Sequence, residues 1–281
     1  MRLREKILSI VEIHRATFPS IRKPVVEAPA NPELKGFLKK REKEALKGLS
    51  FFKRAERRQA KERARELAKA DLKDEGERLE VEYREALARV EREWNLLLEN
   101  NPSTVMATVE AAYEDNKAPA APVNVEGCTL SLVVLVPGLE EIPERKPAVT
   151  PSGNPTVKKM TKQERGDLYL TLICGHLLAT IKESLAVAPS ISDVKSVVVR
   201  RGPDDVYGEQ RTEVLLAGRY ERNDLDRVKW KDVLPSNVVQ EAAVELVWNL
   251  KGRPPQLQPL DLEAEPELKE FVRALDSGAA A

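Results

Sequence analysis

The order of apolar and polar residues divides this chain into helical, extended and proline-rich stretches. Leu3, Ile7, Ile10, Val11 and His14 recur at helical spacing, which predicts a short amphipathic helix that docks on the protein's own body. Pro19, Pro24, Pro29 and Pro32 then interrupt any regular helix and mark residues 18–34 as a linker. From Lys35 to Asn100 nearly every residue is a helix former, and Gly48 divides a short first piece from a long second one. At about 1.5 Å per residue the second piece reaches roughly 70 Å. Leu72, Leu79, Tyr83, Ala86, Val90 and Leu97 form an apolar stripe near heptad spacing, with Gly76 as a defect, so this half of the arm is partly coiled-coil-like.

Asn101-Pro102 closes the arm and opens another helix, with Val105, Val109, Ala112 and Tyr113 on one face. Ala118 to Pro122 is expected to be a stiff connector. Thr129 to Val136, TLSLVVLV, is a β-branched apolar run closed by Pro137-Gly138, and predicts a buried strand. Residues 137–160 carry five prolines and predict a long surface loop. Thr161 and Glu164 have the spacing of a capping box. The helix they open should run to Val187, and its centre, Leu168 to Ile181, has no charge on any face, as expected for a core helix. Val194–Arg200 and Thr212–Tyr220 predict a hairpin. Val239, Ala242, Ala243, Leu246, Val247 and Leu250 predict a last amphipathic helix from Pro235 to Gly252. A polar tail follows, with one short helix expected from Pro266 to Leu275.

The expected organisation is a helix and linker over 1–34, a charged helical arm over 35–100, an α/β domain over 101–252 and a polar tail over 253–281. The fold class is α+β, a long charged helix followed by a small mixed sheet covered by helices.

Composition sharpens this picture. A charged fraction of 33% with only 5% aromatic residues fits a solvated arm beside one modest core. Net charge is zero, so no whole-protein field selects a partner, but the charge is segregated. Lys35 to Lys69 holds 14 Lys and Arg against 5 Glu, whereas Asp71 to Asn100 holds 10 acidic and 5 basic residues. Cys128 and Cys174 form no CxxC pair, lie in apolar segments and are expected to be buried thiols in a cytoplasmic setting. The run Ile7–Val11 is short for a signal peptide, and Leu168–Ile181 is shorter than the roughly 20 residues of a membrane span.

No Walker loop, GxGxxG, HExxH, GxSxG or metal-spaced Cys/His group occurs, so neither a cofactor nor a metal is expected. His176 and Cys174 stand two positions apart on a helix and face different ways. A metal-dependent nuclease core would place an acid on one strand and an acid-x-Lys on the next. Glu183, Asp193, Lys195 and Glu213 partly follow that order, yet Leu215 stands where the pattern needs Lys. Asp204, Asp205, Glu209 and Glu213 form an acidic hairpin tip. The basic stretch is the strongest candidate site. Arg54, Arg57, Arg58, Lys61 and Arg65 fall at spacings that put them on one side of a helix, where they can track phosphates or an acidic surface. Phe51 and Phe52 stand beside them, and Glu56, Glu62 and Glu66 interleave.

The segments LLENNPSTVMATVEAAYEDNKAPAAPV, LVPGLEEIPERKPAVTPSGN and GHLLATIKESLAVAP, and more weakly KGRPPQLQPLDL, resemble bacterial proteins of unknown function. The resemblance implies a bacterial origin and no particular activity. The leading expectation is a non-enzymatic interaction protein whose arm binds a protein partner or self-associates. The alternative is a nucleic-acid-binding or -processing protein with a divergent nuclease-like domain.

Overall fold

The computed structural model describes residues 3–204, 210–252, 256–263 and 268. In chain order the helices and strands are α1 (Leu3–Val11), α2 (Leu34–Leu46), α3 (Arg54–Leu98), α4 (Pro102–Tyr113), β1 (Ala120–Glu126), β2 (Thr129–Leu135), β3 (Arg145–Val149) and β4 (Pro155–Lys159). They continue as α5 (Lys162–Val187), β5 (Asp193–Asp204), β6 (Gln210–Glu221), α6 (Arg222–Asp226), α7 (Pro235–Glu241), β7 (Ala243–Lys251) and β8 (Gln256–Gln258). The chain forms two units, Met1–Ile21 with Leu96–Ala281, and Arg22–Asn95. The architecture is α+β, a long helix followed by a mixed sheet and covering helices.

In the first unit the sheet runs β1-β2-β5-β6-β7-β8. Only β2 and β5 are parallel; the other neighbours are antiparallel. Strand β2 alternates strictly, with Leu130, Leu132 and Val134 buried. Its other face turns Val133 and Leu135 toward Val197, Val199 and Val214, where Leu260, Leu262 and Leu268 also pack. The core helix is α5. Its capping box forms as expected: the Thr161 hydroxyl accepts from the Glu164 amide and Glu164 accepts from the Thr161 amide. Ile173, Cys174, Leu177, Leu178 and Ile181 are completely buried. By composition α5 is long and apolar enough to cross a membrane, but 56% of its most apolar window is buried inside the fold, as a core helix requires.

The amino-terminal segment belongs to this unit. A 3₁₀ turn, Ile13–Arg15, follows α1 and crosses α5 at Gly175, where an added Cβ would stand 3.2 Å from the Ile13 Cβ. Lys182 on α5 donates to the carbonyls of His14 (3.0 Å) and Ala16 (2.5 Å) and stands 4.2 Å from the centre of the Trp230 ring. His14 is buried, so the domain holds a second histidine that the sequence places only on an amphipathic stripe.

Several expectations are corrected. The region from Pro235 to Gly252 is not one helix: α7 stops at Glu241 and β7 continues the sheet, pairing Leu216 with Trp248 and Gly218 with Leu246. The segment is rich in Val and Leu with one Trp, and a free strand edge on β6 decides in favour of extension. Part of the connector at 118–122 is strand β1, whose Pro122 is tolerated because β1 is an edge strand. The proline-rich loop contains the hairpin β3–β4, turned through Gly153 at φ +82°. Cys128 is exposed; only Cys174 is buried. The tail is not wholly polar, since Leu257 is buried and β8 pairs with β7. The short helix expected at 266–275 lies outside the described residues, apart from residue 268.

Candidate functional site

The second unit supplies the candidate site. Helix α2 carries Leu34, Phe37, Leu38, Arg41, Ala45 and Leu46 as a half-buried stripe, the pattern of a helix laid on a partner. That partner is α3. Arg41 holds Asp71 in a two-pronged ion pair, Nε at 2.6 Å and Nη2 at 2.7 Å. These hydrogen bonds hold the Asp71 carboxyl below its ordinary pKa and raise that of Arg41. On α3, Ala64 and Ala68 are 1% and 0% exposed, so this helix is fully covered at those two small side chains. In the extended stretch before α2, Lys23 pairs with Glu91 of α3.

Beside that seam the five predicted cations come together. At about 100° per residue, positions 54, 57, 58, 61 and 65 fall within roughly a 100° arc of α3. Leu38 and Glu42 of α2 form the opposite wall of a groove of about 700 Å³, which Phe51 also lines. The Arg57 guanidinium donates to the Leu49 carbonyl at 2.9 Å and stands 5.9 Å from the centre of the Phe51 ring. Phe51 and Phe52 meet edge to face, with centroids 6.3 Å apart, yet are 75% and 92% exposed. Arg58 reaches Glu62 at only 4.0 Å. Among the described residues, Arg54, Lys61 and Arg65 have no carboxylate partner. The groove thus sets five cations against Glu42 and Glu62. Contiguous cations beside exposed aromatic faces can bind a polyanion. Sequence reasoning found the cations and the phenylalanines but missed the α2 wall. Its signal was the stripe Leu34, Leu38, Arg41, Ala45.

The nuclease-like residues do not assemble. Glu213 lies opposite Arg200, whereas Asp193 lies opposite Glu221. Seven residues along β5 separate the two positions, about 23 Å at roughly 3.3 Å per residue. Each carboxylate has its own partner. Ser192 and Arg219 donate to Asp193 and depress its pKa. Arg200 donates to Glu213 at 2.7 Å. Glu183 accepts from Asn116 at 2.6 Å on α5, and burial raises its pKa. Lys195 lies in a separate groove with Ser131 and Gly218. Among the described residues no group of three His, Cys, Asp or Glu side chains is placed to hold a metal. Asp205 and Glu209 of the acidic hairpin tip, and the side chain of Asp204, lie outside the described residues. Cys174 is fully buried, which pushes its thiol up to about 12, so it is not a nucleophile at neutral pH.

The chain matches no protein-family model, no curated protein and no solved structure. The functional reading therefore rests on the geometry of the site.

Proposed function

We propose that this is a non-enzymatic interaction protein whose helical arm captures an anionic partner in the groove between α2 and α3. The supporting observation is the convergence of Arg54, Arg57, Arg58, Lys61 and Arg65 on one groove, four of them without a carboxylate partner among the described residues. Such cations lose little by leaving their present environment and gain a charge-assisted hydrogen bond on binding. An acidic segment of a protein partner is the first reading. A single-stranded nucleic acid is the second, favoured by the exposed rings of Phe51 and Phe52, on which bases stack.

The test uses the full chain and fluorescence anisotropy, with a labelled oligothymidylate and a labelled acidic peptide of matched charge. The wild type should bind at low salt, and a chain with all five cations changed to Glu should bind neither probe. Nucleic acid gives a slope of log affinity on log salt of about −3.5, from roughly −0.7 per phosphate across about five contacts. Loss of Phe52 in Phe52→Ala should weaken the oligonucleotide more than the peptide. A wild-type chain that binds neither probe at low salt refutes the anionic-partner reading. Loss of a dimer on charge reversal, seen by sedimentation, would redirect the arm to self-association.

A further inference from the structure

A second site lies in the first unit. A cavity of about 480 Å³ opens at the carboxyl ends of β2 and β5. These are the only parallel neighbours among the described strands, and the carboxyl ends of parallel strands are where open α/β sheets leave a crevice for ligands. Helix α5 contributes Leu172 and His176 to its wall, and α1 contributes Lys6, Ser9 and Ile10. The apolar lining comes from Ile10, Leu135 and Leu172.

The charges in the cavity are unevenly committed. Glu141 is paired with Lys6 at 2.7 Å, and Glu140 accepts from the Gly138 amide at 3.1 Å. Lys117 and Arg201 also line the cavity and have no carboxylate partner among the described residues. His176, half-buried between the apolar wall and these cations, has no hydrogen-bond partner among the described residues. Burial and the charge of Lys117 hold it neutral, with a pKa lowered to about 4, so near pH 7 it offers one N–H and one lone pair. The pocket therefore presents two cations without a carboxylate partner among the described residues, and a neutral hydrogen-bonding ring, over an apolar floor. That is the usual composition of a small-molecule site, mostly apolar with a few convergent polar groups.

We propose that this cavity binds a small organic anion, its acid group held by Lys117 and Arg201 and its short apolar body laid against Ile10, Leu135 and Leu172. The acid group is a carboxylate or a phosphate, and the choice of probe separates them. Because α1 forms one wall, occupancy also ties the amino-terminal helix to the sheet.

The experiment measures the melting temperature and titration calorimetry of the full chain with three probes: hexanoate, hexyl phosphate and neutral hexanol. At least one anionic probe should bind and raise the melting temperature while hexanol does not, and the better anion identifies the acid. Lys117→Ala and Arg201→Ala change exposed side chains and should leave the unliganded melt unchanged. Each should weaken the preferred anion roughly tenfold, the loss expected for a charge-assisted hydrogen bond. A chain with the five arm cations changed to Ala should bind the same probe as tightly as wild type, which separates this site from the arm. Equal response to hexanol, no response to any probe, unchanged affinity in both cavity variants or loss of binding in the arm variant would each overturn the proposal.

Discussion

The two units of this molecule are stabilised in different ways. The domain formed by residues 1–21 and 96–281 buries Leu130, Leu132, Ile173, Leu177, Leu178, Ile181, Leu215, Leu216 and Tyr220 completely. The arm, residues 22–95, buries only Ala64 and Ala68. Area removed from water stabilises at about 25 cal/mol per Å², so the domain rests on its core and the arm on helix propensity and local pairing. The difference bears on function. A structure that owes little to its side chains' burial can carry a row of unpaired arginines on its surface, whereas a core-dependent fold has few free positions. In the domain Lys182, Glu183, Asp193 and Glu213 are committed to named partners, whereas Lys117 and Arg201, which have no carboxylate partner among the described residues, line a cavity.

The largest expected effect comes from Leu177→Asp. It places an unpaired carboxylate on the fully buried face of α5, at a cost of several kcal/mol. The domain's cooperative melt and its near-ultraviolet signal should disappear. Much of the helical circular dichroism should survive, because α3 alone supplies a 45-residue helix of good propensity. Simultaneous loss of both signals would break the contrast, by showing that the arm depends on the domain.

Acid should also act unequally on the two units. His176 has a folded pKa of about 4 against an ordinary 6.5, and burial lowers that of His14 as well. The unfolded chain binds protons first as pH falls, so the domain should lose stability between about pH 6.5 and 4, by on the order of 3 kcal/mol from His176. Glu183, whose pKa burial raises, acts in the opposite direction, its contribution being lost as pH rises. The comparison of wild type with His176→Asn isolates the histidine. Chemical denaturation across that range should show a flatter profile in the variant. The arm has no histidine, and its Asp71 pair should weaken only below the ordinary carboxylate range, as pH falls through the lowered folded pKa. Equal slopes in wild type and His176→Asn would remove His176 from the acid response.

Much of the fold was legible where local chemistry and tertiary demand agree. The capping box at Thr161, the uncharged centre of α5, the alternating run of β2 and the break at Gly48 all state their structure in a few residues. The errors fall where neighbours decide. Residues 243–251 satisfy helical spacing, but the open edge of β6 claims them as a strand. The same holds for β1, whose Pro122 reads as connector until an edge position is available. The site divides similarly. The cation row on α3 follows from spacing alone, because one helix fixes those five positions. The α2 wall and the cavity of Lys117, Arg201 and His176 unite residues from distant elements, which no local pattern announces.

A smaller effect tests the seam of the arm. Ala68→Leu adds three carbons where α3 has no exposed surface, and overpacking of this kind costs about 1–3 kcal/mol. The local response should be undocking of α2, with its amides exchanging hydrogen faster while those of α5 stay protected. Unchanged exchange in α2 would mean that Ala68 is covered by something other than the α2 seam.

The smallest effect concerns the ion pairs along α3. Arg84 and Glu80, like Lys73 with Glu77 and Lys69 with Glu66, are exposed partners one turn apart. Water screens such pairs, and fixing two long side chains offsets much of the attraction. Arg84→Ala should therefore leave the melting temperature within error at moderate salt, and Ala's better helix propensity works in the same direction. Arg41→Ala differs in kind, since Arg41 donates two hydrogen bonds to Asp71 on another helix. Its loss should speed hydrogen exchange in α2 while the domain's melt stays fixed. If Arg84→Ala instead loosens α3 as much as Arg41→Ala loosens α2, the pairs act as one network along the helix. The five groove cations would then belong to that network, and charge reversal would unfold the arm as well as empty the groove. Measuring Arg84→Ala first decides how a loss of binding in the charge-reversed chain is to be read.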